Sequence, residues 1–312
     1  MSSKVGIIII LLAGVLWNKK DKEKLEVQIF QTSAEGDNFA AVELDVHKRS
    51  MMDTLILFPE LTFQNVTGFG GAFTEASASL LNQMSDEKRK EILSAYFSEE
   101  GANYSLTRTH INSCDFSLNN YSYAEVENDT SLLHFNITLD KGDLIPMIKE
   151  AQNISPKGFK VIASPWTAPP WMKTNNAWNG GKLKKEFYPT WANYFSKYIS
   201  AYKKEGIDIW AVTVENEPLG NDSNWESMHY TPEETAEFVK DHLGPQFEKD
   251  SLPQKILVYD QNRGKELKEW AEVLLKDKRL EKYIYGTAVH WYTSTNNVMA
   301  ESLNYTHELA PS

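Results

Sequence analysis

From residue 66 to residue 291 the chain repeats one pattern: a short apolar run rich in β-branched residues, a polar loop, then a longer segment with apolar positions at helical spacing. The runs 66–73, 105–111, 159–164, 209–214, 255–260 and 285–291 predict strands. Helices are predicted between them. Ser85 before Asp86 and Glu87 caps one that runs to Glu100, with Gly101 as a left-handed terminator. Thr231-Pro232-Glu233-Glu234 is a capping box with proline at the first helical position. Trp191, Tyr194, Phe195, Tyr198, Ile199 and Tyr202 fall on one face of a helix over 190–205 that Gly206 stops, an aromatic stripe that suits core packing. Leu267, Trp270, Ala271 and Leu274 repeat that spacing. Successive strand and helix units with right-handed crossovers make a parallel sheet, and the expected fold is an α/β (β/α)8 TIM barrel. About six of the eight units are read in 64–312, so the barrel is expected to be incomplete, with 307–312 on the approach to a seventh strand.

Ahead of the repeat, 25–63 holds alternating short apolar runs (25–30, 40–46, 54–58) broken by Gly36-Asp37-Asn38. Those are hairpin signals without helices, and the strands need partners from elsewhere in the chain. Residues 1–24 carry Lys4, the apolar run 5–17 and a polar stretch. That run is short for a bilayer span, for which about 20 residues are needed, and fits a secretory signal. Leu12-Ala13-Gly14 opens like a lipoprotein signal, but Val15 stands where the lipidated cysteine would be, so retention as a short anchor stays open. The expected location is the secretory pathway: lysosomal or extracellular in a eukaryote, exported in a bacterium. Eight Asn-x-Ser/Thr sequons, at Asn65, Asn103, Asn120, Asn128, Asn136, Asn153, Asn221 and Asn304, could then be glycosylated where exposed.

Composition narrows the function. The 312 residues are 41% hydrophobic and carry 32 basic against 43 acidic side chains, net −11, with no basic stripe for a nucleic-acid backbone. Cys114 is the single cysteine, which excludes an intramolecular disulfide and a cysteine metal cluster and reads as a small buried hydrophobe. No metal-ligand spacing, phosphate-binding glycine loop or Ser-His-Asp arrangement stands out, so no cofactor is implied.

The strand ends carry the chemistry. They present Gly68 to Glu75; Arg108, His110 and Asn112; Pro165-Trp166-Thr167; Asn216 and Glu217; Asp260-Gln261-Asn262-Arg263; and His290-Trp291-Tyr292. Carboxylates, amides, a guanidinium and indoles gathered on one barrel rim suit a neutral polyhydroxylated ligand. Acids and amides pair with hydroxyls while aromatic faces cover the apolar face of a pyranose. Each residue has a plainer reading as a structural group, but the agreement of six strand ends is hard to explain by packing.

Residues 68–76, 107–117, 163–175, 211–218 and 288–292 resemble, in order and spacing, the corresponding blocks of glycoside hydrolase family 30 and its glucosylceramidase branch. The resemblance runs from about Glu26 onward. It implies a TIM barrel joined to a β-sandwich built from both chain ends, to which 25–63 would contribute strands. It implies a retaining β-glucosidase acting on glucosylceramide, a lipid substrate that would bring the protein to a membrane surface. It assigns Glu217 as general acid/base and Asn216 as the amide beside the scissile bond. It also puts Glu75, Trp166, His290, Trp291 and Tyr292 in the glucose pocket and Arg108 beside the nucleophile. Glu75 departs from the Asp common in the family, and 109–112 is more polar than usual there.

The resemblance places the nucleophile, a Glu, a few residues beyond Ser312, so the 312-residue chain is expected to be inactive and poorly stable alone. Glu215 is a poor substitute, since two residues along one strand lie about 6 to 7 Å apart on one face and not across a sugar. Glu301 and Glu308, read as loop residues, are poorer still. Another endo-acting family 30 enzyme, a β-1,6-glucanase or xylanase, and a non-catalytic sugar- or lipid-binding remnant are the competing readings.

Overall fold

A computed structural model describes residues 28–43, 56–220, 222 and 224–311. The expected signal or anchor at 1–24, the outer parts of the strands read at 25–30, 40–46 and 54–58, and the sequon at Asn221 lie outside the described residues, wholly or in part. The chain divides into two units, Met1–Gln64 and Asn65–Ser312.

In the first unit β1 (Ile29–Gln31) and β2 (Ala40–Val42) pair antiparallel, with Ile29 opposite Val42. The turn between them uses Gly36 at φ +114°, and Asp37 accepts hydrogen bonds from Ser33 Oγ and Gln31 Nε2, both at 2.7 Å. The part of 54–58 that is described forms no strand.

The second unit is built on a five-stranded sheet in the order β3 (Leu106–Ile111), β4 (Lys160–Pro165), β5 (Ile209–Thr213), β6 (Lys255–Asn262) and β7 (Ile284–His290), every pair parallel. These are the second to sixth strands read from the sequence, displaced by at most two residues at either end. The first, 66–73, is not a sheet strand. It lies parallel to β3 but makes one bridge, Ala72 to Arg108, because Ser105 N–H and Leu106 N–H both donate to Phe69 O and break the ladder's alternation. Glycine is required there. A Cβ on Gly70 would stand 1.4 Å from Leu106 O.

Helices α1 (Glu75–Asn82), α2 (Asp86–Phe97), α3 (Leu144–Ile154), α4 (Tyr188–Lys204), α5 (Pro232–Phe238), α6 (Gly244–Lys249), α7 (Lys265–Leu274) and α8 (Ala300–Leu309) fill the connections. Ser85 caps α2 through Lys88 N–H at 3.3 Å, and Thr231 with Glu234 forms the expected capping box on α5. Helix α2 ends at Phe97, short of Glu100. Gly101 is not left-handed; it is needed because a Cβ there would meet Ala95 O at 2.4 Å. The aromatic stripe of α4 is core, with Trp191, Tyr194, Phe195, Tyr198 and Tyr202 all fully buried, and Gly206 ends it at φ +83°. Residues 300–309, read as polar loop, form α8, and Glu301 pairs with Lys268.

Candidate active site

The C-terminal ends of β3 to β7 open on a cleft of about 820 Å³. Strand alternation turns Arg108 and His110 of β3 to the same side. Arg108 is the centre of the cleft floor. Its Nε donates to Ser164 Oγ at 3.0 Å, and one terminal nitrogen donates to Asn216 Oδ1 at 2.8 Å and Asp260 Oδ2 at 2.7 Å. Its guanidinium carbon lies 4.9 Å from the centre of the Trp166 ring, a cation–π contact that fixes the indole's inclination.

Three strand ends hold residues other than glycine in the left-handed region: Asn112 at φ +65°, Glu217 at +50°, and Tyr259 and Asp260 at +76° and +46°. Each costs roughly 1 to 2 kcal/mol for an L-residue, and surrounding bonds hold it. Glu217 N–H donates to Asp260 O at 2.9 Å and Asn216 N–H to Pro165 O at 2.7 Å, so the turn after β5 is clamped to both neighbouring strands. The bend at Asp260 coincides with a register shift between Tyr259 and Gln261 against β7, which turns the carboxylate toward Arg108.

Between the two acids stands His290, the last residue of β7. Its Nδ1 lies 3.0 Å from Glu217 Oε1 and its Nε2 2.9 Å from Asp260 Oδ1. Burial pulls the imidazole down, but the bonds to Asp260 and Glu217 outweigh it and push it up to about 9. At neutral pH both ring nitrogens therefore carry hydrogens and donate. Burial pushes the Asp260 carboxyl up, yet the Arg108 charge, the His290 bond and the Thr213 hydroxyl at 2.7 Å hold it at about 2. Both Asp260 oxygens are thus engaged by protein groups.

Of the residues named from sequence, Arg108, Trp166, Asn216, Glu217, His290 and Tyr292 line the cleft. Glu75 and Trp291 stand next to Thr74 and Tyr292, which line it. Glu75 opens α1, where its Oε2 accepts Leu118 N–H at 3.0 Å. Trp291 follows the end of β7, is 53% exposed and packs on Tyr292 with ring centres 5.2 Å apart. Asp115 and Trp225, which sequence reasoning missed, also line the cleft. Burial pushes Asp115 up, against a bond from Trp166. Asp115 stands in the loop that follows the Asn112 bend, and loop residues have no periodicity to betray them.

Cys114 is buried, and burial pushes its thiol up to about 12, which suits the inert role expected. Glu215 is buried behind Glu217, and burial pushes its carboxyl well above the usual range despite the Lys173 charge. Among the described residues no group of three or more His, Cys, Asp or Glu is arranged to hold a metal ion.

Comparison with known proteins matches the chain to a family. The chain is 41% identical over 266 residues to lysosomal acid glucosylceramidase of Mus musculus, covering 82% of this chain and 52% of that one. It therefore spans about half the length of the curated relatives it matches. Among solved structures, SrfJ from Salmonella typhimurium superposes with a TM-score of 0.82 at 33% identity, covering 91% of this chain and 63% of that one. The endo-beta1,6-glucanase BT3312 gives 0.75 at 34% identity, covering 82% and 57%. Residues 66–312 match the profile described as Glycosyl hydrolase family 30 TIM-barrel domain, and the chain belongs to glycoside hydrolase family 30.

Proposed function

We propose that this chain carries the sugar pocket and the acid/base residue of a retaining β-glucosidase whose substrate is glucosylceramide. The observation that supports it is the Glu217 carboxyl at the end of β5, on the cleft, with Oε1 held at 3.0 Å by the His290 imidazole. Oε2 is then the oxygen offered to a glycosidic oxygen, to which it delivers the proton as the bond to the anomeric carbon breaks. Arg108 and His290 keep the floor positive, which favours a carboxylate nucleophile next to it. Trp166 covers a pyranose face, and Asn216 and Asp115 address its hydroxyls.

Two-carboxylate hydrolysis needs a second free carboxylate about 5 to 5.5 Å from the first. Asp260, the acid nearest through His290, spends its oxygens on Arg108, Thr213 and the imidazole. The nucleophile in this reading is a residue outside the described ones.

The likeness to BT3312 favours a second reading, cleavage within a β-1,6-glucan. Product analysis by the full-length protein on glucosylceramide, β-1,6-glucan and xylan separates the readings. Release of glucose and ceramide alone is expected; oligosaccharide products from glucan overturn the glucosylceramide assignment. In the same reading 1–24 directs the chain into the secretory pathway, 25–63 adds strands to a β-sandwich, and the lipid substrate brings the cleft to a membrane surface. Retention of the chain in the cytosol of its own cell would refute that location.

A further inference from the structure

Behind the cleft lies a second cluster of charge that the proposed chemistry leaves unused. Lys173, which follows the turn Pro170–Met172, is 0% exposed. Its Nζ donates to Trp178 O and to Ser227 O, both at 2.8 Å. The first carbonyl belongs to the loop after β4 and the second to the loop after β5. Burial pulls the ammonium down to about 8, with the charges of Glu215 and Glu226 opposing the fall, so it stays cationic at neutral pH.

Both acids are buried, at 2% and 5% exposure. Glu215 has no hydrogen-bond partner on either oxygen among the described residues, and of the charges that act on it Lys173 opposes burial while Asp260 adds to it. Glu226 Oε1 accepts Asn120 Nδ2 at 2.6 Å, which ties in the loop after β3. The loops close on one another further, with Ser227 N–H donating to Trp178 O at 3.2 Å, Gly180 N–H to Ser227 Oγ at 2.9 Å and His229 N–H to Gly181 O at 2.8 Å.

A cation buried this completely persists only where partners replace its water, and removing it leaves two carbonyls and two acids without that compensation. Lys173 does not line the cleft. What it joins does: Asp115, Trp166, Glu217 and Trp225 stand on the three loops that meet around it.

We propose that Lys173 is a positioning residue that fastens the loops after β3, β4 and β5 into one wall and thereby sets where the sugar-contacting groups stand. The proposal rests on the glycoside reading of the cleft, and the test separates the two. Lys173→Met, Asn120→Ala and the double variant are made in the full-length protein, with hydrogen exchange and 1-deoxynojirimycin binding as readouts. In Lys173→Met, amides in 174–182 and 218–230 exchange at least about tenfold faster while β3 to β6 keep their protection.

Binding weakens by about tenfold or more, as expected of displaced groups. Asn120→Ala, at an exposed position, weakens binding about threefold, and the double variant is no worse than Lys173→Met alone because both cut one network. Uniformly faster exchange across the sheet with unchanged affinity in the folded state, or independent losses that multiply, would overturn the proposal. If the unaltered protein binds no 1-deoxynojirimycin, the glycoside reading fails, and the exchange pattern still decides whether Lys173 fastens the loops.

Discussion

Replacing Asp260 by Asn keeps the shape of the cleft floor and removes its central negative charge. In the folded protein the His290 imidazole rises from an ordinary 6.5 to about 9, and Asp260 falls from 3.8 to about 2. At about 1.4 kcal/mol per tenfold change in proton affinity, the first corresponds to roughly 3 kcal/mol and the second to roughly 2 kcal/mol. The two shifts describe one set of contacts from opposite sides, so they do not add. With Arg108 and His290 left facing an amide, the expected loss is about 3 kcal/mol, in line with breaking one partner of a buried ion pair. The pH dependence follows from the signs. Asp260's contribution is present above about 3.8 and lost as pH falls through about 2; His290's is present below about 6.5 and lost as pH rises through about 9. The gap between unaltered protein and Asp260→Asn is therefore widest from roughly pH 4 to 6.5 and narrows as pH rises from about 6.5 to about 9. Urea unfolding across that range gives the gap, with m-values as the check on two-state behaviour. Proton NMR of the histidine ring hydrogens gives the His290 midpoint, which should fall well below 9 in the variant. A gap under about 1 kcal/mol at pH 6, or a midpoint still near 9, would refute the account of the floor.

Two further outcomes test the scaffold. Gly70→Ala places a Cβ 1.4 Å from Leu106 O, so the 66–73 segment must leave β3; a loss of at least about 3 kcal/mol in urea unfolding is expected, and a neutral substitution would contradict the close approach. Cys114, with its thiol pushed up to about 12, should react with Ellman's reagent only as fast as the protein unfolds, and prompt labelling of the native state would contradict its burial.

The sheet was legible because strands covered on both faces are continuous β-branched runs, as in Ile209–Thr213, where the reading overshot by one residue. The capping box at Thr231 and the stripe of α4 are local signals, and both survive in the fold. What escaped is what periodicity does not encode. Helix α3 carries Pro146 in its first turn and no side-chain cap, and α8 begins after Met299 at φ +55° without a capping residue. At the site, Arg108, Trp166, Asn216, Glu217 and His290 could be named because strand ends point to the rim. The function of Asp260 depends on a bulge that only the paired strands reveal.

The central claim, that Glu217 delivers a proton to a β-glycosidic oxygen, is tested most directly by leaving-group dependence in the full-length protein. Glucosides of 2,4-dinitrophenol, which leaves without a proton, and of 4-methylumbelliferone, which needs more help, are compared as kcat/KM for the unaltered protein and Glu217→Gln. The account predicts a loss of about 10² or more for the methylumbelliferyl glucoside and a loss under about tenfold for the dinitrophenyl glucoside. Equal losses on both, or none on either, would contradict it.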